Sequence, residues 1–239
     1  MINQNKQRVV ALLPMKAHSS RVPGKNFREL CGKPLYRWIL DTMLDIDEID
    51  HIVINTDARD LLEKSGIPTN SKILIRDRPK AICGDQVSMN RVIQDDIKNI
   101  ESQVYLMTHT TNPFLTGNTI KKALSLFGVN SRSNKIDSIF SVNKLQTRFY
   151  NSQCIPINHD LKNLIPTQEL EPYYEENSNL YVFSETSFNA SSARIGKNPM
   201  MIESCKIESL DIDTPEDWEM AELIARSLIN GKKEINGSG

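Results

Sequence analysis

Residues 9–34, VVALLPMKAHSSRVPGKNFRELCGKP, organise the rest of the chain. An apolar run from Val9 to Leu13 breaks at Pro14 into a segment carrying Lys16, Arg21, Lys25, Arg28 and Lys33, opposed only by Glu29. That pattern reads as a strand feeding a cationic loop. Gly24 and Gly32 let the backbone approach a ligand, and a polyanion such as a nucleotide triphosphate is the natural occupant. Lys16, Arg21 and Lys25 would hold phosphates as charges, while Asn26 has the donor and acceptor that a base edge requires. A solvated basic turn is the competing reading. The loop is not a P-loop: Gly24-Lys25 and Gly32-Lys33 lack the spaced glycine before them and the Ser or Thr after them. GxGxxG is absent too, so nothing demands a dinucleotide.

Downstream, strands and helices alternate. Pro34 fits the first turn of a helix with Leu35, Trp38, Ile39, Thr42 and Met43 on one face. His51 to Asn55 reads as the next strand, followed by a short helix through Leu61 and Leu62 that stops at Gly66. Lys72 to Arg76 is a third strand. A helix from about Gln86 to Ile100 buries Val87, Val92, Ile93 and the stem of Arg91, and Val104 to Thr108 is a fourth strand. A second loop, His109 to Gly117, precedes a helix with Ile120, Ala123, Leu124 and Phe127 at helical spacing. This rhythm predicts a three-layer α/β fold with a mostly parallel central sheet and ligands at the carboxyl ends of the strands. After a strand at Ile136 to Val142, Leu145 to Pro172 is irregular and holds three prolines. We read residues 143–178 as an excursion that covers the substrate or meets a second subunit. Asn179 to Phe183, Met200 to Glu203 and Ile207 to Leu210 return to strand character before a last amphipathic helix. Residues 1–234 form a single domain and 235–239 a tail.

Composition narrows the function. Lysine and arginine total 29 against 30 acids, a balance that gives no electrostatic footprint for nucleic acid. The four cysteines have no CxxC spacing, which argues against zinc or a redox pair. The opening MINQNKQR has no apolar signal region and no later segment is long enough to span a bilayer, so a cytoplasmic protein with free thiols is expected. No GxSxG elbow supports a serine hydrolase.

Near the other end, Leu210-Asp211-Ile212-Asp213 reads as a continuing strand, which would put Asp211 and Asp213 on one face. Two such carboxylates repel unless a cation intervenes, and Mg2+ prefers a few carboxylates plus substrate phosphate oxygens. Thr214, Pro215 and Asp217 also make a good N-cap, first-turn proline and N3 acid, so helix punctuation is the parallel reading. His109 stands at the carboxyl end of a strand, where a structural role competes with a functional one.

With these residues in view, PMKAHSSRVPGKN, LCGKPL, NTD, RDRPKAICGD, THTTNPF, DSIFSV, PTQELEPYYEENSNLYVF and IDTPEDWEMAE resemble, in that order, the acylneuraminate cytidylyltransferase family over residues 8–230. The resemblance implies a Rossmann-like nucleotidyltransferase fold. It also implies transfer of a cytidylyl group from CTP to the anomeric hydroxyl of a nonulosonic acid, an acidic nine-carbon sugar, with release of pyrophosphate and help from Mg2+. By motif position Lys16, Arg21 and Lys25 would face the triphosphate, while Leu13, Asn26, Arg78 and Asp85 would hold the nucleotide. Asp211 and Asp213 would bind the metal, and His109, Gln168 and Tyr181 would line the sugar pocket of a homodimer.

The chain departs from the pattern. Lys16 replaces an Arg, keeping charge but losing bidentate geometry. Ser20-Arg21 replaces Lys-Gly and is closer to the Ser-Thr-Arg of octulosonate cytidylyltransferases. His109 stands where Gln is common, and Thr167 where an Arg would meet the sugar carboxylate; Arg148 or Lys144 would have to supply that charge. The alternatives are a 3-deoxy-octulosonate cytidylyltransferase or another sugar nucleotidyltransferase, a glycosyltransferase using Asp211-Ile212-Asp213, and a non-catalytic sugar-nucleotide sensor.

Overall fold

The computed structural model describes residues 7–236 apart from Arg132 and Asn134, with the backbone alone for residues 232–236. In chain order the elements are β1 (Val9–Leu12), β2 (Glu29–Leu30), β3 (Lys33–Pro34), α1 (Leu35–Leu44), β4 (His51–Thr56), α2 (Arg59–Lys64), β5 (Ile73–Asp77), α3 (Met89–Asn99) and β6 (Val104–Met107). Then follow α4 (Gly117–Ser131), β7 (Ser138–Leu145), β8 (Tyr173–Phe183), α5 (Glu185–Ser191), β9 (Pro199–Glu203) and α6 (Pro215–Asn236).

Seven strands form one sheet in the order β5-β4-β1-β6-β8-β7-β9. All neighbours pair in parallel except β8, which runs antiparallel to both β6 and β7. The sheet is therefore mostly parallel, as the alternation of strands and helices predicts. Its centre is covered on both faces, which is why β1 is apolar at every position: Val9 and Ala11 join one core with α1 and α4, while Val10 and Leu12 join the other with α3 and α5.

From β1 the chain winds outward to β4 and β5, then returns to place β6 on β1's other side. That reversal opens a crevice at the carboxyl ends of β1 and β6, where open α/β sheets bind ligands. The loops after β1 and β6 flank it.

Several local expectations change. Pro34 ends β3 and caps α1 from outside the helix, and the buried face of α1 is Leu35, Tyr36, Ile39, Leu40 and Met43, so Trp38 and Thr42 sit at its margin. Arg91 is exposed; the buried face of α3 includes Asp96 instead. Gly32 follows Cys31 in the two-residue turn joining β2 and β3, with φ of 89° and 51°. Positive φ at both positions is what a tight hairpin turn demands, so Gly32 serves the turn, not ligand approach. Ile207 to Leu210 is a turn, closed by Ser209 N donating to Cys205 O at 3.1 Å. It turns because Glu208 is buried to accept from the Thr116 and Thr119 hydroxyls at 2.5 and 2.7 Å, at the start of α4. Residues 210–213 are not a strand either. The helix α6 runs to Asn236, two residues into the expected tail; the rest of that tail and the opening MINQNK lie outside the described residues. Among the described residues no helix is long and apolar enough to cross a membrane.

Candidate active site

The basic loop divides by partner. Arg28 stacks over Trp218 at 4.1 Å, and Lys33 pairs with Asp41 at 2.9 Å, so these two fasten the loop to α6 and α1. Lys16, Arg21 and Lys25 instead meet acids of other loops. Arg21 meets Asp213 Oδ2 at 2.9 Å, and Lys25 Nζ meets Asp213 Oδ1 at 3.1 Å while also donating to the Ile212 carbonyl. Lys25 is buried; Arg21 is exposed. Lys16 Nζ lies 2.5 Å from Asp85, and with side chains 44% and 65% exposed this pair contributes little to stability, leaving Lys16 free to change partner. The Lys16 ammonium nevertheless holds the Asp85 carboxyl below its ordinary value.

Asn26 is buried and ties the two crevice loops together. Its Nδ2 donates to Lys16 O at 2.8 Å, and its Oδ1 accepts from Thr110 Oγ1 at 2.6 Å. Gly24, at φ 63°, supplies the carbonyl that accepts from Phe27 N and Arg28 N. The Leu13 side chain lies wholly in the core, and its N–H is spent on Val53 O of the neighbouring β4, which leaves a ligand only the Leu13 carbonyl.

Arg78 reaches across from the end of β5. It donates to Asn55 Oδ1 and Asn55 O at 2.8 Å each and to Met15 O at 3.3 Å, and burial lowers its pKa. Behind it, Asn55 Nδ2 donates to Asp96 Oδ1 at 2.7 Å, and Asp96 also accepts from Arg76. A cavity of about 450 Å³ opens beside Arg78, lined also by Ala17, Asp57, Arg59 and Lys80.

Asp211 and Asp213 come together without a strand. Ile212 N donates to Thr111 O at 2.9 Å and Asn112 Nδ2 to Leu210 O at 3.2 Å, so the loop after β6 holds this segment in place. Burial and the neighbouring Asp213 charge raise the Asp211 pKa against a hydrogen bond from Thr111, and Asp211 Oδ1 is buried with no hydrogen-bond partner among the described residues. The capping box is present: Asp217 Oδ2 accepts from Thr214 N at 2.8 Å and Asp217 N donates to Thr214 Oγ1 at 3.2 Å. Among the described residues no group of three or more His, Cys, Asp or Glu side chains could hold a metal by itself. The available donor set is two carboxylates.

His109 follows β6 and is partly buried. Burial, reinforced by the positive charges of Arg194 and Lys25 and opposed by Asp213, pushes its pKa down to about 3, so the imidazole is neutral. Tyr181 is fully buried on β8, with its hydroxyl donating to Glu176 and its pKa pushed up to about 12 by burial. Gln168 and Arg148 lie apart in the excursion. Gln168 has an exposed side chain, and Arg148 Nη2 donates to Ile165 O at 2.8 Å.

Sequence reasoning missed Arg194, Asn55 and Asp96. Arg194 sits 4.0 Å over the Tyr181 ring, on the loop after α5. Nothing in its local pattern marks it: it is one of two cations, with Lys197, in the connection between α5 and β9.

A family model described as cytidylyltransferase matches residues 10–234. The chain is similar to the CMP-N,N'-diacetyllegionaminic acid synthase of Legionella pneumophila, with 29% identity over 91% of this chain and 96% of that one. It is also similar to the pseudaminic acid cytidylyltransferase of Campylobacter jejuni, with 23% identity over 79% and 72%. The fold matches the crystal structure of 4-diphosphocytidyl-2C-methyl-D-erythritol synthase from Anaerococcus prevotii, with a TM-score of 0.65 and 13% identity over 92% of this chain and 97% of that one.

Proposed function

The chain belongs to the cytidylyltransferase family, and from that premise we propose that it transfers a cytidylyl group from CTP to the anomeric hydroxyl of a nonulosonic acid. The observation that carries the reading is one basic loop whose Arg21 and Lys25 meet Asp213 beside Asp211, with Lys16 in an exposed, exchangeable pair with Asp85. A basic loop of this kind suits a triphosphate, and the relatives named for legionaminic and pseudaminic acids point to the sugar class.

In the proposed reaction the anomeric hydroxyl oxygen attacks the α-phosphorus in line and its proton passes to solvent water, while the bond from that phosphorus to the oxygen bridging it to the β-phosphate breaks to release pyrophosphate. Lys16 exchanges Asp85 for phosphate at small cost because both ends of that pair are exposed. Arg21 and Lys25 stabilise charge on the transferring and leaving groups, and their fixed positions supply orientation. Arg78, Asn26, Asp85 and the Leu13 backbone form the nucleotide side. Asn26 acts there mainly by holding the two loops in register, because Lys16 O and Thr110 already occupy its side chain. His109 faces the sugar side with Tyr181 buried behind it, and the excursion would have to move, or be met by a second subunit, to bring Gln168 and Arg148 there.

Asp211 Oδ1, which has no partner among the described residues, and the Asp213 carboxylate, once it exchanges Arg21 and Lys25 for the ion, suit Mg2+, which commonly binds one or two carboxylates together with substrate phosphates. When bound it would neutralise developing phosphate charge. The excursion exposes Tyr150, Ile155, Ile157, Leu161, Leu164 and Tyr173, an apolar surface that favours a homodimer. Four unpaired cysteines suit a reducing cytoplasm. Ser20-Arg21 favours a second reading in which the acceptor is a 3-deoxy-octulosonate.

Pyrophosphate release with each of the four ribonucleoside triphosphates and a panel of nonulosonic and octulosonic acids tests the proposal. CTP with a nonulosonic acid is the expected pair. Preference for the octulosonate would favour the second reading, and CTP binding without turnover of any acid would make the protein a sensor.

A further inference from the structure

We infer that Arg194 receives the carboxylate of the acidic sugar, supplying the cation that Thr167 does not, an assignment that rests on the proposed transfer to a nonulosonic acid. The loop that carries it is fastened at every step. Ser192 turns the chain in the left-handed region at φ 55°. Ser191 Oγ both accepts from Ala193 N at 3.2 Å and donates to Ala193 O at 2.9 Å. Gly196 N donates to Ser138 Oγ at 2.8 Å, and Asp137 Oδ2 accepts from Lys197 N at 2.7 Å and Asn198 N at 3.1 Å. A long cationic side chain held this firmly has already lost much of the freedom that ligand binding would otherwise remove.

Its donors remain largely unused. Stacking 4.0 Å above the Tyr181 ring occupies one face of the guanidinium and not its in-plane N–H groups. Its hydrogen bond among the described residues is to Glu176 Oε1 at 3.4 Å. That is long for a charge-assisted bond, and the same oxygen already accepts from the Tyr181 hydroxyl. Glu176 therefore orients one edge of the fork without saturating it, and a planar fork suits a carboxylate. With its side chain 20% exposed, Arg194 borders a cavity of about 370 Å³ shared with Ser88, Asn90 and Glu176. It also lies close enough to His109, at the end of β6, to help keep that imidazole neutral.

The two cations expected for this duty are placed differently. Arg148 Nη2 is committed to the Ile165 carbonyl inside the excursion. Lys144 borders a cavity with Glu175, Glu203, Asp211 and Asp217, four carboxylates that repel a fifth, against the single Glu176 beside Arg194.

The test compares wild type with Arg194→Gln, which keeps the stem over Tyr181, and Arg194→Lys, which keeps the charge. The probes are the sugar acid that wild type uses best and its C1 primary amide, with kinetics read for both and for CTP, alongside thermal melting. Arg194→Gln is expected to raise the sugar KM by roughly 30-fold or more, the scale for losing one partner of a desolvated charge pair. It should leave the CTP KM within about twofold and erase wild type's preference for acid over amide. Arg194→Lys should recover part of that preference. An unchanged sugar KM, an equal rise for acid and amide, or a lowered melting temperature with the acid preference intact would overturn the assignment. Wild type that turns over no acid at all would overturn the underlying reading, and the assignment with it.

Discussion

Asp96→Asn probes the network behind the nucleotide side, where a buried carboxyl holds Asn55, which in turn holds Arg78. Burial pushes the Asp96 carboxyl up to about 6 from the ordinary 3.8, even though Asn55 and Arg76 favour its ionised form. The folded protein therefore binds this proton more tightly than the unfolded chain, and stability falls as pH rises through the interval between the two values. The gap corresponds to about 3 kcal/mol, present in full below about pH 4 and lost above about pH 6. Roughly 2 kcal/mol of it falls between pH 4.5 and 7.5. Asparagine keeps an oxygen for Asn55 Nδ2 and cannot titrate. Urea unfolding of both proteins across that range should show wild type gaining on the variant by roughly 2 kcal/mol toward acid. A difference that is flat with pH, or that grows toward alkali, would refute the placement of an unfavourably buried charge.

His109 is neutral throughout the working range because its pKa is pushed down to about 3. His109→Gln should therefore leave the pH profile of kcat/KM between pH 5 and 8 without a lost limb; disappearance of a limb near 6.5 would contradict this. Gly196→Ala would bring a Cβ within 2.3 Å of Asp137 Oδ1 and 2.4 Å of Ser187 Oγ. Such overpacking should cost about 1–3 kcal/mol in chemical unfolding. Asp211→Ala and Asp213→Ala should each lower kcat by roughly 100-fold or more, the scale seen when a group stabilising transition-state charge is removed; turnover left intact by both would remove the magnesium assignment. Leu161→Asp together with Leu164→Asp should give a monomer in light scattering, and an unaltered mass would place any interface elsewhere.

The alternation of strands and helices was legible because each strand of the parallel half is short, apolar and bounded by polar turns. The direction of β8 and its insertion between β6 and β7 were not, since pairing is a long-range choice. Ile207 to Leu210 has strand-like composition, yet Glu208 is needed inward by two threonines at the start of α4, a demand invisible in local pattern. At the site, charge alone picked out five cations in one loop, but only tertiary partners separate Lys16, Arg21 and Lys25 from Arg28 and Lys33. Asp211 and Asp213 were paired for the wrong local reason: the loop after β6 positions them, not a strand. Asp96 looks like an ordinary polar helix residue until α3 packs on the sheet, and Arg194 acquires meaning only from Tyr181 beneath it.

The central claim is tested most directly by phosphorus NMR of a reaction containing the protein, CTP, Mg2+ and a nonulosonic acid. The account predicts that the triphosphate signals give way to one phosphodiester, joining CMP to the sugar, and one equivalent of pyrophosphate. Persistence of CTP, or its conversion to CMP without a sugar phosphodiester, would contradict it.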